Sequence, residues 1–400
     1  MQLNHKHTEQ LLLIPAEGYR NIWIATWGAG IMAKNKEIVA LTGLRGVAAC
    51  TIALYHFAGQ NGGRLGWYFH KGYLSVDIFF VLSGFVMATT YRHFFEKHVS
   101  LGDYRRFLYL RIARIWPLYL VAVVVAIGSY NAFKTSLEVV LANVLMIQGW
   151  GIARSINIPL WSVSTEFVAY LAFPFLFLFA SRSQRFNLPL LIGASLVLIG
   201  ACAYINIHDP ERDLVIHALY GTHQNGVLDL YAPYSVLPIM RCLAGFALGV
   251  VVWHLSRRSP SIRQVASSNS VGIACATIIL ALVALNANDL IIYPFFPVLV
   301  LSLSQDKGIL ASLFKFRPVR FLGVISFAMY ALQLPYFIKI KPLLFKLAEA
   351  VPPGLANLVF YGGAAAGLLI ISIVAHYLIE KPGRMALRMQ IRERTQPVAA

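Results

Sequence analysis

The stretch IVALTGLRGVAACTIALYHFA, residues 38–58, is almost entirely apolar. Its length is close to the roughly 20 residues that an α-helix needs to cross the hydrocarbon core of a bilayer. Similar apolar runs recur along the chain and are separated by short segments that carry most of the charged side chains. The pattern therefore predicts an all-α protein with many membrane-spanning helices.

The composition of the 400 residues agrees with this prediction. Hydrophobic side chains make up 58% of the chain and charged ones only 13%, whereas soluble proteins carry about 25% charged residues. The apolar runs predict about ten spanning helices, at residues 38–58, 73–91, 109–129, 158–180, 188–206, 235–255, 271–286, 289–304, 321–340 and 358–379. A further run at 137–149 is too short to span easily and is interpreted as interfacial or re-entrant.

The net charge of +17 is best explained by membrane topology. Ten spans place both termini on the same side of the membrane. With that side in the cytoplasm, 24 of the 34 Lys and Arg residues lie inside and eight lie outside. Basic residues accumulate in cytoplasmic loops, so the bias predicts cytoplasmic termini. No nucleic-acid-binding motif offers a competing explanation of the basic charge, and no nucleic-acid partner is expected.

The chain divides into three predicted regions. Residues 1–36 form a cytoplasmic or interfacial arm, residues 37–384 form the transmembrane domain, and residues 385–400 form a basic cytoplasmic tail. As an alternative, translation begins at Met32 instead of Met1, which would remove most of the arm. The stretch 207–234 becomes a polar external loop. Its acids and histidines leave a metal site as an alternative, but scattered loop polarity is the simpler explanation and no metal is predicted.

Ionisable residues inside predicted spans are functional candidates because each is costly to place in a bilayer. Arg45 and His56 are eleven residues apart, so they share one face of the first span about 16 Å apart along its axis. Asp77 and Glu166 fall at about the depth of His56, and we expect one of them to hold His56 in one tautomer and make it more basic. The alternative is a helix contact by His56. Arg241 is expected to pair with an acid that the sequence does not identify.

Arg111 and Arg114 share a face at the predicted cytoplasmic end of the third span, because they are three residues apart. Two guanidinium groups in this arrangement suit a phosphate-bearing cofactor. Position alone equally fits arginines that set topology or contact lipid headgroups.

Several motifs in order resemble the membrane acyltransferase family 3, over residues 36 to 384. The motifs are LTGLRGVAACTIALYHF at 41–57, GYLSVDIFFVLSGFVM at 72–87, RIARIWPLYL at 111–120, IPLWSVSTEFVAYLAFP at 158–174, SFAMYALQLPYF at 326–337 and YLIEKPGR at 377–384. Members of this family O-acylate bacterial surface and exported polysaccharides. The resemblance implies a multi-pass protein of the bacterial cytoplasmic (inner) membrane, with acetyl-CoA or another acyl-CoA as donor and a glycan or lipid-linked glycan hydroxyl as acceptor.

The resemblance also implies roles for individual residues. The family's Arg and His of the first span correspond to Arg45 and His56, which are taken as essential, and its paired arginines correspond to Arg111 and Arg114, which would contact the phosphates of CoA. The catalytic candidates are therefore His56, Arg45, Glu166 and Asp77. The candidates for substrate binding are Trp161, Ser162, Tyr330 and Gln333.

Two departures from the family pattern favour His56 as the base. Gln333 stands where many members have a late histidine, and Thr165 precedes Glu166 where members often have two adjacent glutamates. Because the sequence ends soon after the tenth span, we expect no fused hydrolase-like domain. The alternatives are a proton-coupled carrier or flippase, since buried ionisable residues also form proton relays, and an acyltransferase for a small-molecule or lipid acceptor.

Overall fold

A computed structural model describes residues 37–58, 63–130, 132–209, 226–229, 235–258 and 260–395. The predicted arm at 1–36 and most of the polar stretch 207–234 lie outside these residues. Within the described ranges every regular element is a helix and no strand is present.

Twelve helices define the architecture. They are α1 Val39–Ala58, α2 Ser75–Phe95, α3 Leu101–Ser129, α4 Trp161–Arg182, α5 Gln184–His208, α6 Leu237–Arg258, α7 Asn269–Ala284, α8 Phe295–Leu303, α9 Arg317–Val324, α10 Ser326–Glu349, α11 Pro353–Ala375 and α12 Lys381–Thr395. Shorter helices lie at Gly63–Phe69, Leu137–Val144, Pro260–Ala266, Asp289–Ile292 and Gly308–Lys315, and a π-helical turn at His376–Glu380 joins α11 to α12.

The described residues contain seven to ten candidate spans, which agrees with the prediction of about ten. Seven helices there are long and apolar enough to cross a membrane, and three helix pairs reach that length only as bent units, with bends of 55°, 84° and 68°. The bent pairs correspond to the predicted spans at 271–286, 289–304 and 321–340. The chain is therefore a multi-pass membrane protein, and the side on which its termini lie stays a prediction.

The short run at 137–149 does not form a spanning helix. Its helix ends at Val144, after about 12 Å of rise. The following turn is fastened by Ser164 Oγ, which accepts from Gly149 N at 3.0 Å and donates to Met146 O at 2.7 Å. Asn143 adds bonds to the carbonyls of Val139 and Arg154. The segment is held against α4, as a re-entrant piece would be.

Helices α2 and α6 pack closely through glycines. A Cβ atom at Gly84 would lie 2.0 Å from Phe246 O, and one at Gly249 would lie 2.1 Å from Val81 O. Glycines allow such backbone approach, and van der Waals packing at close range stabilises helix pairs in membranes, where lipid is as apolar as the side chains. In contrast, α5 and α11 expose apolar side chains such as Val197, as lipid-facing helices do.

Candidate functional site

A partly open cavity lies where α1, α2, α3, α4 and α10 meet, and its volume is about 110 Å³. Apolar side chains of α2, together with Ile115 and Phe327, form part of its wall. The polar part of the wall is formed by Arg45, Ser83, Arg111, Arg114, Ser162, Glu166, Tyr170, Ser326 and Tyr330. Six of the ten predicted site residues thus line one cavity. His56, which was predicted to share a face of α1 with Arg45, lies outside it.

Glu166 connects three helices at the cavity wall. Its Oε1 atom accepts hydrogen bonds from Ser83 on α2 and from the hydroxyl of Tyr170, one turn further along α4. The Tyr170 hydroxyl in turn accepts a bond from Arg111 Nη2 on α3 at 3.2 Å. The carboxylate therefore holds Arg111 through Tyr170, and it is not a hydrogen-bond partner of His56.

Three guanidinium groups line the cavity beside this single carboxylate. Arg111 is 5% exposed, its guanidinium carbon lies 4.8 Å from the centroid of the Tyr170 ring, and its Nε atom has no hydrogen-bond partner in the described part of the chain. Arg45 and Arg114 make no hydrogen bond or ion pair to any described residue, although Arg45 interacts electrostatically with Glu166. A cavity with excess positive charge and unused N–H donors is chemically suited to an anion.

Ser162 and Tyr330 meet across α4 and α10. Their hydroxyl oxygens are 2.7 Å apart, and Tyr330 donates to Pro159 O at 2.8 Å. Trp161, the neighbouring candidate, does not line the cavity; its ring lies 6.3 Å from that of Phe80 in an edge arrangement. Ser162 and Tyr330 therefore line the cavity as a hydrogen-bonded pair, while Trp161 packs behind its wall.

His56 lies beyond the cavity and contacts Gln333 of α10. The Nδ1 atom of His56 is 3.3 Å from Gln333 Oε1, and Gln333 Nε2 donates to the carbonyl of Tyr330 at 3.1 Å. Because that bond uses the amide nitrogen, the amide oxygen faces the imidazole and can only accept. With this orientation of the amide, the tautomer that carries its proton on Nδ1 can donate to Gln333 and leaves the lone pair on Nε2.

The expectation that Asp77 or Glu166 orients His56 is wrong, because His56 contacts Gln333 and each acid has other partners. Asp77 accepts two bonds from Arg241 of α6, at 2.6 and 2.8 Å, and both side chains are almost completely buried. Asp77 is thus the acid that Arg241 was expected to have. The sequence position of Asp77 predicts its depth in the membrane but not the helix that its carboxylate faces. The packing of α2 on α6 directs the carboxylate toward Arg241.

Three residues of the polar wall were not predicted from the sequence: Ser83, Tyr170 and Ser326. Tyr170 had a usable signal, since it lies four residues after Glu166 and therefore on the same face of the helix. Ser83 had none, because a single serine in an apolar helix bonds its own backbone as readily as another helix. The partnership of His56 with Gln333 was also missed; both residues were candidates, but no spacing links two separate helices.

The fold and the cavity define a multi-pass membrane protein with an arginine-rich site. The chain belongs to the acyltransferase family 3, because a family model described as an acyltransferase domain matches residues 38–377. The predicted resemblance is thereby confirmed.

Individual relatives agree with this assignment. The chain is 26% identical to the peptidoglycan O-acetyltransferase OatA of Listeria monocytogenes over 88% of its own length and 56% of the relative. It is 32% identical to the acyltransferase MdmB of Streptomyces mycarofaciens over 34% of its own length and 38% of the relative. A putative O-acetyltransferase of Staphylococcus aureus is 25% identical over 43% of this chain and 30% of the relative. The chain therefore spans about half or less of the length of these relatives, and no solved structure matches it.

Proposed function

We propose that this protein is an integral membrane O-acetyltransferase that takes an acyl group from acetyl-CoA or another acyl-CoA and transfers it to a hydroxyl of a surface or exported glycan. Exopolysaccharide and O-antigen are glycans of this kind. The observation that carries the proposal is the cavity with three guanidinium groups and one carboxylate, in a chain of an acyltransferase family. Two relatives are named as O-acetyltransferases, which supports acetyl as the transferred group. The relative from Listeria is named for peptidoglycan, which supports a cell-wall glycan as the acceptor.

In the proposed enzyme, Arg111 and Arg114 bind phosphate groups of the donor. The unpartnered Nε of Arg111 is buried at the cavity, and a guanidinium pairs with phosphate oxygens through charge-assisted hydrogen bonds. Glu166 and Tyr170 position Arg111 for this contact through the bonds described above. The donor would enter from the cytoplasmic side of the cytoplasmic membrane, where the basic residues are predicted to lie.

His56 is the proposed general base. The acceptor hydroxyl loses its proton to Nε2 of His56 while its oxygen attacks the thioester carbonyl; the carbon–sulfur bond then breaks, and coenzyme A leaves as the thiol after taking up a proton. Gln333 supports this role because it favours the tautomer with the proton on Nδ1. A positioned general base typically contributes 10²- to 10⁴-fold to a rate.

Arg45 guides the donor arm in this proposal. It lies eleven residues before His56 on α1, about 16 Å away along the helix axis. A group that stabilises an oxyanion must be about 3 Å from it, so Arg45 does not serve the oxyanion formed next to His56. The proposal places the acyl arm along the face of α1 between these two side chains, with Ser162 and Tyr330 on the facing helices.

The test combines a biochemical and a cellular measurement. Purified protein in lipid nanodiscs is mixed with acetyl-CoA and a glycan acceptor, and thiol release and acceptor mass are followed. Mass spectrometry of surface glycans then compares a deletion strain with strains complemented by the wild type or by His56→Ala. We expect acetylation with the wild type only. Glycan movement across the membrane without thiol release would instead favour the carrier or flippase. If His56→Ala protein acylates the acceptor at the wild-type rate, His56 is not the general base.

A further inference from the structure

The C-terminal helix α12 is fixed against the part of α3 that carries the cavity arginines. Tyr109 of α3 donates to Leu387 O of α12 at 3.1 Å. Nearer the other end of the contact, a Cβ atom at Gly383 would lie 2.6 Å from the Cβ of Pro117, so the two backbones are as close as a glycine permits. The order of the contacts is reversed along the two helices, which shows that α12 runs antiparallel to α3.

This packing sets two further arginines near the first two. Arg384 and Arg388 are four residues apart, so they share one face of α12. Arg384 interacts electrostatically with Arg114, and Arg388 interacts electrostatically with Arg111. The contact between α3 and α12 therefore brings the guanidinium groups of these four arginines near one another.

The positive charges in this cluster outnumber the nearby carboxylates. Glu166 interacts electrostatically with Arg45 and Arg111, and Glu380 interacts with Arg45, so two acids stand against five arginines. Like charges in a low-dielectric region repel one another unless a counter-charge is present. In addition, Arg388 Nε, like Arg111 Nε, is buried without a hydrogen-bond partner among the described residues. Two buried donors without a partner among the described residues, in one cluster of like charges, suit an anionic ligand.

We infer that Arg384 and Arg388 belong to the donor site and bind phosphate groups of the nucleotide end of the acyl thioester together with Arg111 and Arg114. This inference rests on the proposed function, since it takes the donor to be a CoA thioester. Coenzyme A carries a diphosphate and a separate ribose phosphate, so two pairs of guanidinium groups match its two sites of negative charge. The segment predicted from sequence as a basic tail, from residue 385 onward, thus contributes through Arg388 to the site.

The inference is tested by the binding of coenzyme A itself, which needs no turnover. Isothermal titration calorimetry is run on purified full-length protein and on Arg384→Gln, Arg388→Gln and Arg111→Gln variants. Arg258→Gln is the matched control, because Arg258 is an exposed arginine at the end of α6. We expect each of the first three variants to bind about tenfold more weakly, as the loss of one charge-assisted contact predicts, and the control to bind like the wild type.

Separate outcomes distinguish the inference from the function on which it rests. If Arg384→Gln and Arg388→Gln bind coenzyme A like the control while Arg111→Gln binds weakly, the donor proposal stands and the inference is overturned. If the wild type does not bind coenzyme A, the donor and the inference both fall. The titrations are repeated in nanodiscs of phosphatidylcholine alone and with phosphatidylglycerol, to test whether the arginines bind an anionic lipid instead. If Arg384→Gln and Arg388→Gln lose binding of the anionic lipid but keep their affinity for coenzyme A, the inference is overturned. Elution volume and thermal melting of each variant identify protein that has failed to fold.

Discussion

At the scale of single residues, the protonation of His56 depends on the way Gln333 is itself held. Gln333 is completely buried, and its amide nitrogen is bonded to the carbonyl of Tyr330, one turn back along α10. The amide therefore cannot turn its nitrogen toward His56 without losing that bond. Gln333, which cannot act as a base itself, thus favours the tautomer of His56 that the proposed general base requires.

Replacement of Gln333 by leucine tests this dependence. Gln333→Leu removes the acceptor for the Nδ1 proton, so both tautomers of His56 become accessible. We expect kcat to fall about tenfold, the rate equivalent of one lost hydrogen bond of about 1.4 kcal/mol, while KM for the acyl donor stays unchanged. The measurement is steady-state thiol release in nanodiscs. Gln333→Glu is the matched control because it keeps an acceptor, and equal losses in the two variants would contradict the positioning role.

At the scale of elements, the bond between Asp77 and Arg241 joins α2 to α6. Two charges in a dry helix interface are costly to separate, and removal of one partner leaves the other uncompensated. We expect Asp77→Asn and Arg241→Gln each to destabilise the folded protein by about 3–5 kcal/mol, and the double variant to lose less than the sum of the two.

Thermal stability in detergent, followed by size-exclusion elution, measures this coupling in the single and double variants. A strictly additive double variant would show that the two side chains do not act as a pair. If single variants fold fully and lose only transfer activity, Asp77 has a catalytic role that its contacts do not indicate.

The glycine contact between α2 and α6 gives a second prediction for elements. Gly249→Ala would force its new Cβ atom against the carbonyl oxygen of Val81, so the helices must separate. Overpacking typically costs about 1–3 kcal/mol, and we expect at least this loss of stability because backbone, not a flexible side chain, is displaced. Gly193→Ala on α5 is the control, since a Cβ there has no neighbour within 4 Å. Equal melting temperatures of the two variants would contradict the close packing.

At the scale of the whole molecule, the distribution of basic residues predicts the orientation of the chain. With 24 of 34 Lys and Arg residues on the side of the termini, we expect both ends to lie in the cytoplasm. Fusion of green fluorescent protein and of alkaline phosphatase to residue 400 tests this directly. Fluorescence without phosphatase activity is the expected result. Phosphatase activity at the C-terminus would invert the topology and place the four clustered arginines away from cytoplasmic acyl-CoA.

Much of the fold followed from sequence, because a bilayer imposes a simple rule on composition. Each span must be apolar over about 20 residues, so the number and position of the spans could be counted, including three that the structure bends sharply. The bends themselves were not predicted. The 84° bend contains Asp306 at φ 55° and Gly308 at φ 94°, and its Asp306 side chain accepts from Ala40 N of α1 at 3.0 Å, a contact across 266 residues of sequence.

The candidate site, like the fold, was predicted from the sequence only in part. The sequence by itself determined which ionisable residues lie within apolar spans and, through its motifs, the family to which the chain belongs. Only the tertiary structure decided their partners: Asp77 with Arg241, Glu166 with Ser83 and Tyr170, Gln333 with His56, and α12 with α3. The physical reason is that helical periodicity fixes the face of a residue on its own helix, whereas the rotation and packing of separate helices fix which faces meet.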